Sequence, residues 1–475
     1  MGGASSREAP DGGKKTTRRA FSEEEKAQLK ETFVAICSCC SSDGEASEDG
    51  FGWAHFERYT KSLLHGAVQQ RMFSEMLLAS ANVLANSAPS NARVGFAGFV
   101  RFLDRLVNGT KLERAKIVRA VFGERETPVG RAEAVQMVEQ LINACVLAES
   151  ETAPFESWQR LGVTERSELN LAEWLVGPLV VGDGDDPVSI EKLADWLAAT
   201  PLVLTMLEAV IGAVFRVRLR IDADDDDGAL GLPSCASEVD WKAFRTLLGV
   251  PSLLFLNSLL PRELRRQWRL LFSSQLHGES FSALSGAVSE QGPCLVLVKE
   301  RDGGALFGGF ASCGFLAGPK FSGDDRSFLF TLSPKTAVFH ASGYNDHYAY
   351  LNHSQETLPN GLGFGGVLEA CFFPLFLSGG QEFGVGRSQR GCSTFQHCPQ
   401  LSTTEHFEID SVEVWAVGPP PNKRRGRRQR HSSALDDDPE VKAMLELLGK
   451  GPLSEGLRQG DLTADIPDEK LPPVF

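Results

Sequence analysis

The period at which apolar residues recur changes near Gly228, and this change constrains the fold of the 475-residue chain more than any other feature. Between Ala20 and about Arg220, apolar residues recur every three or four positions, as on the buried face of a helix. After Gly228 the chain has short apolar runs separated by glycine-rich turns, which is typical of antiparallel strands. Arg301–Gly304 is one such turn, because glycine adopts positive φ without strain. The sequence therefore predicts an α+β chain in which a helical half precedes a β-sandwich flanked by helices.

Charge and cysteine content exclude two classes of function. The formal net charge of −14 argues against general binding of nucleic acid, since phosphate contacts need a basic surface. Cysteines at positions 37, 39 and 40 lie close together, but no pair of CxxC motifs predicts a zinc site. We expect reduced thiols and no structural disulfide.

The most apolar run of the helical half, Pro201 to Val217, is the nearest candidate for a membrane span. A span needs about 20 apolar residues, whereas this run contains Glu208 and is followed by Arg218. We therefore expect a buried helix there. The N-terminus also lacks the apolar core of a secretory signal.

The helices that begin near Phe56 and Phe99 follow polar loops and resemble paired EF-hands. A calcium loop needs oxygen ligands at positions one, three and five and a bidentate glutamate at position twelve. Neither loop, nor the acidic run Asp222–Asp227, supplies this set. The residues at those positions are Gly44, Ala46, Glu48 and His55, then Ser87, Pro89, Asn91 and Gly98, with Pro233 at position twelve of the acidic run. The sequence therefore predicts EF-hand-like geometry without metal, and a calcium-responsive adaptor is the third hypothesis of function.

Eight ordered blocks in the second half resemble the signature of TLDc domains. The blocks are Leu271–Phe281, Gly292–Pro293, Phe307–Ser312, Ser327–Phe330, Gly343–Tyr348, Asn360–Gly366, Cys392–Phe395 and Val412–Val417. Their order over about 150 residues makes the resemblance far more specific than a single short motif. The signature residues that we interpret as structural are His277, Gly278, Ser280, Phe281, Gly343, Asn345, Gly361, Gly363, Cys392 and Trp415.

Two stretches of this half carry further expectations. Pro261–Phe272 has apolar residues at helical spacing with arginines between them, which predicts an amphipathic helix. After Gly366, TLDc domains continue directly into a strand that this chain lacks, and Val367–Ser378 stands there as an insertion. We therefore expect a sandwich that lacks one strand and exposes an edge.

Catalysis is the second hypothesis, because TLDc proteins have been connected to oxidation resistance. Cys392 could pair with His347 or His397, and His277, Glu279 and Asp346 are further candidates. A nucleophile needs a base within hydrogen-bond reach and a third orienting group. No nucleophile elbow, phosphate loop or metal spacing accompanies these residues. We therefore interpret the polar signature residues, His277 and Asp346 among them, as buried groups that hold turns by hydrogen bonds, and we expect no cofactor.

The first residues fit an N-myristoylation motif. Met1 to Ser6 match M-G-x-x-x-[ST], in which Gly2 is acylated after removal of Met1. One acyl chain gives only marginal membrane binding, and four basic residues follow that can attract an anionic leaflet. These are Lys14, Lys15, Arg18 and Arg19.

The tail predicts a short helix after a proline-rich and basic linker. Asp438-Pro439-Glu440 is a helix start. An apolar stripe follows, made of Val441, Met444, Leu445 and Leu448. A helix of about ten residues is not stable alone in water, so the stripe docks either on the chain itself or on a partner.

The layout as a whole is similar to that of the lysosomal branch of the TLDc family. The predicted segments are a lipidated tail 1–20, an EF-hand-like helical domain 21–220, an acidic linker 221–250, a TLDc domain 251–418, a linker 419–437 and a helix with tail 438–475. The resemblance implies a non-enzymatic regulator on the cytoplasmic face of the lysosomal membrane. It also implies two partners, the V-type proton ATPase and the mTOR signalling machinery.

Overall fold

A computed structural model of the chain describes residues 21–39, 50–80, 92–123, 129–162, 166–180, 187–217, 231–353, 355, 357–380 and 384–421. Within these ranges the first half is helical. Its helices are α1 Glu23–Ser38, α2 Trp53–Thr60, α3 Gly66–Ser80, α4 Phe96–Val107, α5 Lys111–Phe122, α6 Arg131–Glu149, α7 Ala153–Glu156, α8 Ser167–Val176, α9 Ile190–Ala199 and α10 Pro201–Phe215.

The second half is a set of antiparallel strands with short helices before and between them, so the α+β prediction is confirmed. In chain order these elements are β1 Ser234–Cys235, α11 Val250–Leu259, a 3-10 turn Arg262–Leu264, β2 Gln267–Ser273, α12 Ser274–His277, α13 Phe281–Val288, β3 Cys294–Glu300, β4 Leu306–Ala311, β5 Phe328–Ser333, β6 Ala337–His340, β7 Ala349–Asn352, β8 Gly361–Phe364, β9 Leu375–Ser378, β10 Val385–Arg387 and β11 His406–Val417.

Local sequence explains how the helical half begins. Ser22 caps α1 by accepting a hydrogen bond from the Glu25 amide, and the Glu25 carboxylate accepts one from the Ser22 amide in return. A short antiparallel bridge joins Phe51, which precedes α2, to Val94, which precedes α4. Each of these two residues is the eighth in its EF-hand-like loop, counted from Gly44 and from Ser87.

Helix α10 lies buried in the helical half, as its apolar run predicts. Nine of its fifteen residues are buried, and its end is fixed where the Thr32 hydroxyl donates to the Phe215 carbonyl at 2.6 Å. Among the described residues, no single helix is long and apolar enough to cross a membrane, although α9 and α10 pass that test as a pair bent by 89°.

The strands form two sheets that share β11. The inner sheet has the order β1-β2-β11-β3-β4-β5-β6, and the outer sheet follows from the first residues of β11 through β10, β9 and β8 to β7. A register shift between Ile409 and Ser411 lets one strand pass from the outer to the inner sheet.

The fold therefore has three layers: helices, inner sheet and outer sheet. Between the sheets lie side chains such as Val296, Leu362 and Val414. A Cβ on Gly309 of β4 would stand 2.8 Å from the Phe364 ring of β8, so a glycine is needed where the sheets approach most closely. The opposite face of the inner sheet joins the same apolar core as the helices.

The prediction of an amphipathic helix at Pro261–Phe272 is wrong. Only a 3-10 turn forms at its start, and Gln267–Ser273 becomes β2, paired with β11 from Trp268 opposite Val417 onward. The helical spacing gave a wrong prediction because strand pairing with a segment about 150 residues away overrides a local pattern.

The expectation of a missing strand is also wrong. Leu375–Ser378, at the end of the apparent insertion, forms β9 and pairs with both β8 and β10. Phe373 and Phe376 are buried with Tyr350 on the far face of the outer sheet. The stretch therefore completes the sheet and covers its outer aromatic face.

Candidate functional site

Three buried tryptophans lie where the helical half meets the inner sheet, and we call this contact the seam. The Trp158 ring lies 4.9 Å from the ring of Trp415 in β11 and 6.2 Å from that of Trp268 in β2. The Trp158 indole donates to the Pro233 carbonyl at 2.7 Å. Such pairs add stabilisation beyond the apolar area that they bury. The seam thus fixes the helices on the sandwich.

A buried carboxylate crosses the seam. Glu413 of β11 is 1% exposed and accepts from the Thr246 hydroxyl and the Leu247 amide, both at 2.7 Å. The Trp415 indole donates to it at 2.9 Å. Burial raises the pKa of Glu413 to about 7, against the lowering effect of these three hydrogen bonds. The side chain therefore ties the segment before α11 to the last strand.

The first predicted signature residues lie together at the start of α12 and α13. The Ser273 amide donates to His277 Nδ1 at 3.0 Å, and the imidazole stacks on Phe272. Gly278 has a φ of +78°, and the Ser280 hydroxyl caps α13. Phe281 is buried between the sheets. Each of these residues shapes the turn from β2 into α13.

Gly361 and Gly363 lie on β8, beneath the aromatic face of the outer sheet. A Cβ on Gly361 would stand 2.3 Å from the Phe376 ring, and one on Gly363 would stand 2.9 Å from the Phe373 ring. Any larger side chain would displace these rings. Both glycines therefore make room for packing.

Gly343 and Asn345 build a loop between β6 and β7 that we call the edge loop, residues 341–348. Gly343 has a φ of +75°. Asn345 Oδ1 accepts from the Thr394 hydroxyl at 2.9 Å and from the His347 amide at 3.2 Å, while its Nδ2 donates to the Ser393 hydroxyl at 3.0 Å. One side chain thus fastens the edge loop to the segment that follows β10.

His347 lies in this loop and Cys392 in the segment that follows β10, and no hydrogen bond joins the two side chains in the described part of the chain. His347 Nδ1 lies 2.7 Å from the Gly366 carbonyl, which can only accept, so Nδ1 carries the proton. The imidazole stacks on Phe321 at 4.4 Å. Cys392 Sγ lies against Gly365, where an added Cβ would be 3.1 Å away.

Comparison with known proteins identifies the family. Residues 243–418 match the TLDc domain family. The MTOR-associated protein MEAK7 of Xenopus laevis is 34% identical over 450 residues, which cover 92% of this chain and 95% of that protein. The Homo sapiens protein of the same name is 33% identical over 469 residues, with 95% and 97% covered. The chain belongs to the MEAK7 family of TLDc-domain proteins. The predicted TLDc resemblance is therefore confirmed.

A more distant relative of this MEAK7-family chain shares a smaller region. Oxidation resistance protein 1 of Mus musculus is 30% identical over 208 residues, which cover 42% of the chain and 22% of that protein. The TLDc match begins at residue 243, inside the segment predicted as a linker. Thr246 and Leu247, which bind Glu413, therefore lie within the matched region.

The residues proposed for catalysis do not assemble in this MEAK7-family chain. Within the described ranges, no hydrogen bond joins Cys392 to His347 or His397, and His277 lies in a different turn. Glu279 is exposed. A search of the described residues finds no group of three or more His, Cys, Asp or Glu side chains that could hold a metal ion. The polar signature atoms bind backbone and hydroxyl groups instead.

Several predicted residues lie outside the described residues, and others were not predicted. Those outside are Gly2, Lys14, Lys15, Arg18, Arg19, Val441, Met444, Leu445 and Leu448. The sequence analysis missed Glu413 and its partner Thr246. The alternation of Val412 and Val414 with Glu413 and Trp415 was an available signal, since it puts a carboxylate beside a tryptophan on one face of a strand.

Proposed function

We propose that this MEAK7-family chain is a non-enzymatic regulator that is tethered to the lysosomal membrane, binds the V-type proton ATPase and supports mTOR signalling. The likeness that supports mTOR involvement spans nearly the whole chain, and those relatives are named as mTOR-associated. The local geometry supports binding over chemistry, since His277, Asn345 and Cys392 hold turns or packing.

The proposed tether combines a lipid and a basic patch. Myristate on Gly2 gives weak, reversible membrane affinity, and each nearby lysine or arginine adds about 1 kcal/mol on an anionic leaflet. Gly2→Ala therefore releases most of the protein from membranes. Replacing Lys14 and Lys15 by glutamine weakens membrane binding less than Gly2→Ala does. The effect of this replacement becomes smaller as the salt concentration rises.

The proposed ATPase contact uses the TLDc domain and the apolar stripe of the tail. A buried leucine contributes about 2 kcal/mol, so the stripe Val441–Leu448 can add useful affinity to a contact made by the domain. Removing the stripe weakens capture of the ATPase without abolishing it, provided that the TLDc domain remains intact.

Affinity purification from lysosome-enriched membranes tests the proposal. The baits are the full-length chain, Gly2→Ala and a form lacking residues 441–448, with detergent-solubilised extract used in parallel to separate tethering from docking. We expect ATPase subunits and mTOR components with the full-length bait, and undiminished capture by Gly2→Ala in the solubilised extract. Absence of ATPase subunits, where another TLDc domain retrieves them, contradicts the proposal.

The two other hypotheses have their own tests. The oxidation-resistance hypothesis is favoured by the likeness over 208 residues to oxidation resistance protein 1. It predicts that Cys392→Ser or His277→Ala removes protection of cells against peroxide while the domain stays folded. The calcium hypothesis predicts heat on titrating calcium into the full-length chain. Our proposal predicts neither effect.

A further inference from the structure

The edge loop displays an aromatic side chain that the chain itself does not cover. Tyr344 is 82% exposed, whereas every other exposed large apolar residue in the described ranges is 54% exposed or less. Aromatic side chains are frequent anchors of protein interfaces, because a partner can exclude water from both faces of the ring. A second exposed apolar residue, Val367, follows Gly366, whose carbonyl binds His347 of the same loop.

The exposure of Tyr344 is a fixed property of the loop. The Tyr344 amide donates to the Ser342 hydroxyl at 3.1 Å. The side chain of the next residue, Asn345, forms three hydrogen bonds, to Ser393, His347 and Thr394. A rigid display lowers the entropy cost of binding. The backbone that carries the ring is therefore fixed before a partner binds.

Carboxylates lie on and beside the edge loop that carries Tyr344. Asp346 follows two residues later, with a side chain 93% exposed, and the turn Asp324–Asp325 packs beside the loop, since a Cβ on Gly323 would stand 3.2 Å from the Tyr348 Cβ. Burial and then the charges of Asp325, Asp346 and Asp324 raise the pKa of Tyr348.

One of these three charges is balanced and two are not. Arg326 binds Asp324 at 2.7 Å, and this hydrogen bond is the main cause that lowers the pKa of Asp324 to about 2. In the described part of the chain, neither Asp325 nor Asp346 forms an ion pair with a lysine or arginine. Asp325 and Asp346 therefore add negative charge to the edge loop and to the turn beside it.

We propose that Tyr344, Val367, Asp325 and Asp346 form a docking surface for a segment of a protein partner in which lysine or arginine flanks an apolar side chain. The tyrosine face takes the cationic or apolar group, and the carboxylates pair with the flanking bases. An anionic membrane or a nucleic acid is repelled by the same charges. The inference deepens the proposed function, because it gives the chemistry of the partner that the TLDc domain binds.

Binding variants of the full-length chain give the first test, with the purified V-type ATPase as the probe. We expect Tyr344→Ala to weaken binding by about tenfold or more, and Tyr344→Phe to retain most of it. Asp346→Lys weakens binding at low salt, and its difference from the unsubstituted chain shrinks as salt rises. The matched control is Val34→Ala, which removes a 46% exposed apolar side chain from α1. Equal binding by Tyr344→Ala and the unsubstituted chain overturns the surface and leaves the proposed function intact.

Site-specific crosslinking gives the second test and works whichever protein the partner is. A photoreactive phenylalanine analogue is placed at position 344 of the full-length chain in cells, with position 34 as the control, and the crosslinked peptides are identified by mass spectrometry. We expect peptides rich in lysine and arginine at position 344 alone. Acidic or neutral peptides, or no crosslink above the control, overturn the inference. Basic peptides from a protein that is neither an ATPase subunit nor an mTOR component uphold the surface and contradict the proposed function.

Discussion

The seam and the edge loop both depend on side-chain hydrogen bonds, which are buried at the seam and partly exposed at the edge loop. At the seam, Glu413 binds donors on either side of a contact that is closed to solvent, and Trp415 fills the space beside it. At the edge loop, Asn345 binds the segment behind it so that its neighbour Tyr344 faces solvent. The comparison teaches that signature residues of one domain either hold layers together or present a surface, and that neither role requires catalysis.

The largest expected effect is on the seam. Trp415→Ala removes a fully buried ring and leaves a cavity, so the free energy of unfolding should fall by about 3–5 kcal/mol. Trp415→Phe keeps most of the packing and loses only the indole donor to Glu413, for a cost of about 1–2 kcal/mol. Urea denaturation of both variants measures the difference. Equal losses would mean that the hydrogen bond, and not the ring, holds the seam.

The next effect is the pH dependence that Glu413 contributes to stability. Its folded-state pKa of about 7 lies above the ordinary value of 4.5, so the folded state binds a proton more tightly than the unfolded state. The contribution to stability is full below pH 4.5 and is lost as pH rises through 7, by roughly 3 kcal/mol at most.

Glu413→Gln isolates this contribution, because all other titrating groups stay the same. Relative to that variant, the unsubstituted chain should lose stability between pH 4.5 and 7 in urea denaturation. A difference that is constant over this range would show that the three donated hydrogen bonds, and not burial, control the carboxylate.

A smaller effect is expected at the edge loop. Asn345→Ala leaves the buried Thr394 hydroxyl without its acceptor, which should cost about 1–2 kcal/mol. Amides of residues 342–348 should then exchange with solvent faster, while those of β11 keep their protection. Ser393→Ala removes just one of the three bonds and serves as the matched control. Unchanged exchange in Asn345→Ala would show that the loop is held by other contacts.

The smallest effect on stability is expected at Tyr344, where the effect on binding is largest. An 82% exposed ring makes little contribution to folding, so Tyr344→Ala should change the free energy of unfolding by less than about 0.5 kcal/mol. Thermal denaturation checks this value. A larger loss would mean that the ring supports the loop and would weaken its interpretation as an anchor.

Features set by neighbouring residues were predictable from the sequence. Ser22, a hydroxyl residue followed by three glutamates, caps α1 together with Glu25, and Gly303 and Gly304 turn the chain between β3 and β4. The change of period near Gly228 predicted both halves of the α+β fold. In each case the signal and the structure lie within a few residues of each other.

Features set by distant pairing were not predictable. β2 has helical spacing, yet it forms a strand because β11 pairs with it. The strand β9 was hidden in an apparent insertion, because its place depends on β8 and β10. Glu413 acquires its role from Thr246, 167 residues away in the chain. Single-sequence patterns do not report such partners.

The central claim is that the TLDc domain of this MEAK7-family chain works by recognition. Its most direct test is the affinity of the full-length chain for the purified V-type ATPase, measured for Cys392→Ser and Tyr344→Ala at equal folded fraction. We predict that Cys392→Ser binds as tightly as the unsubstituted chain and that Tyr344→Ala binds about tenfold or more weakly. Unchanged affinity in Tyr344→Ala, together with loss of ATPase binding in Cys392→Ser, would contradict the account.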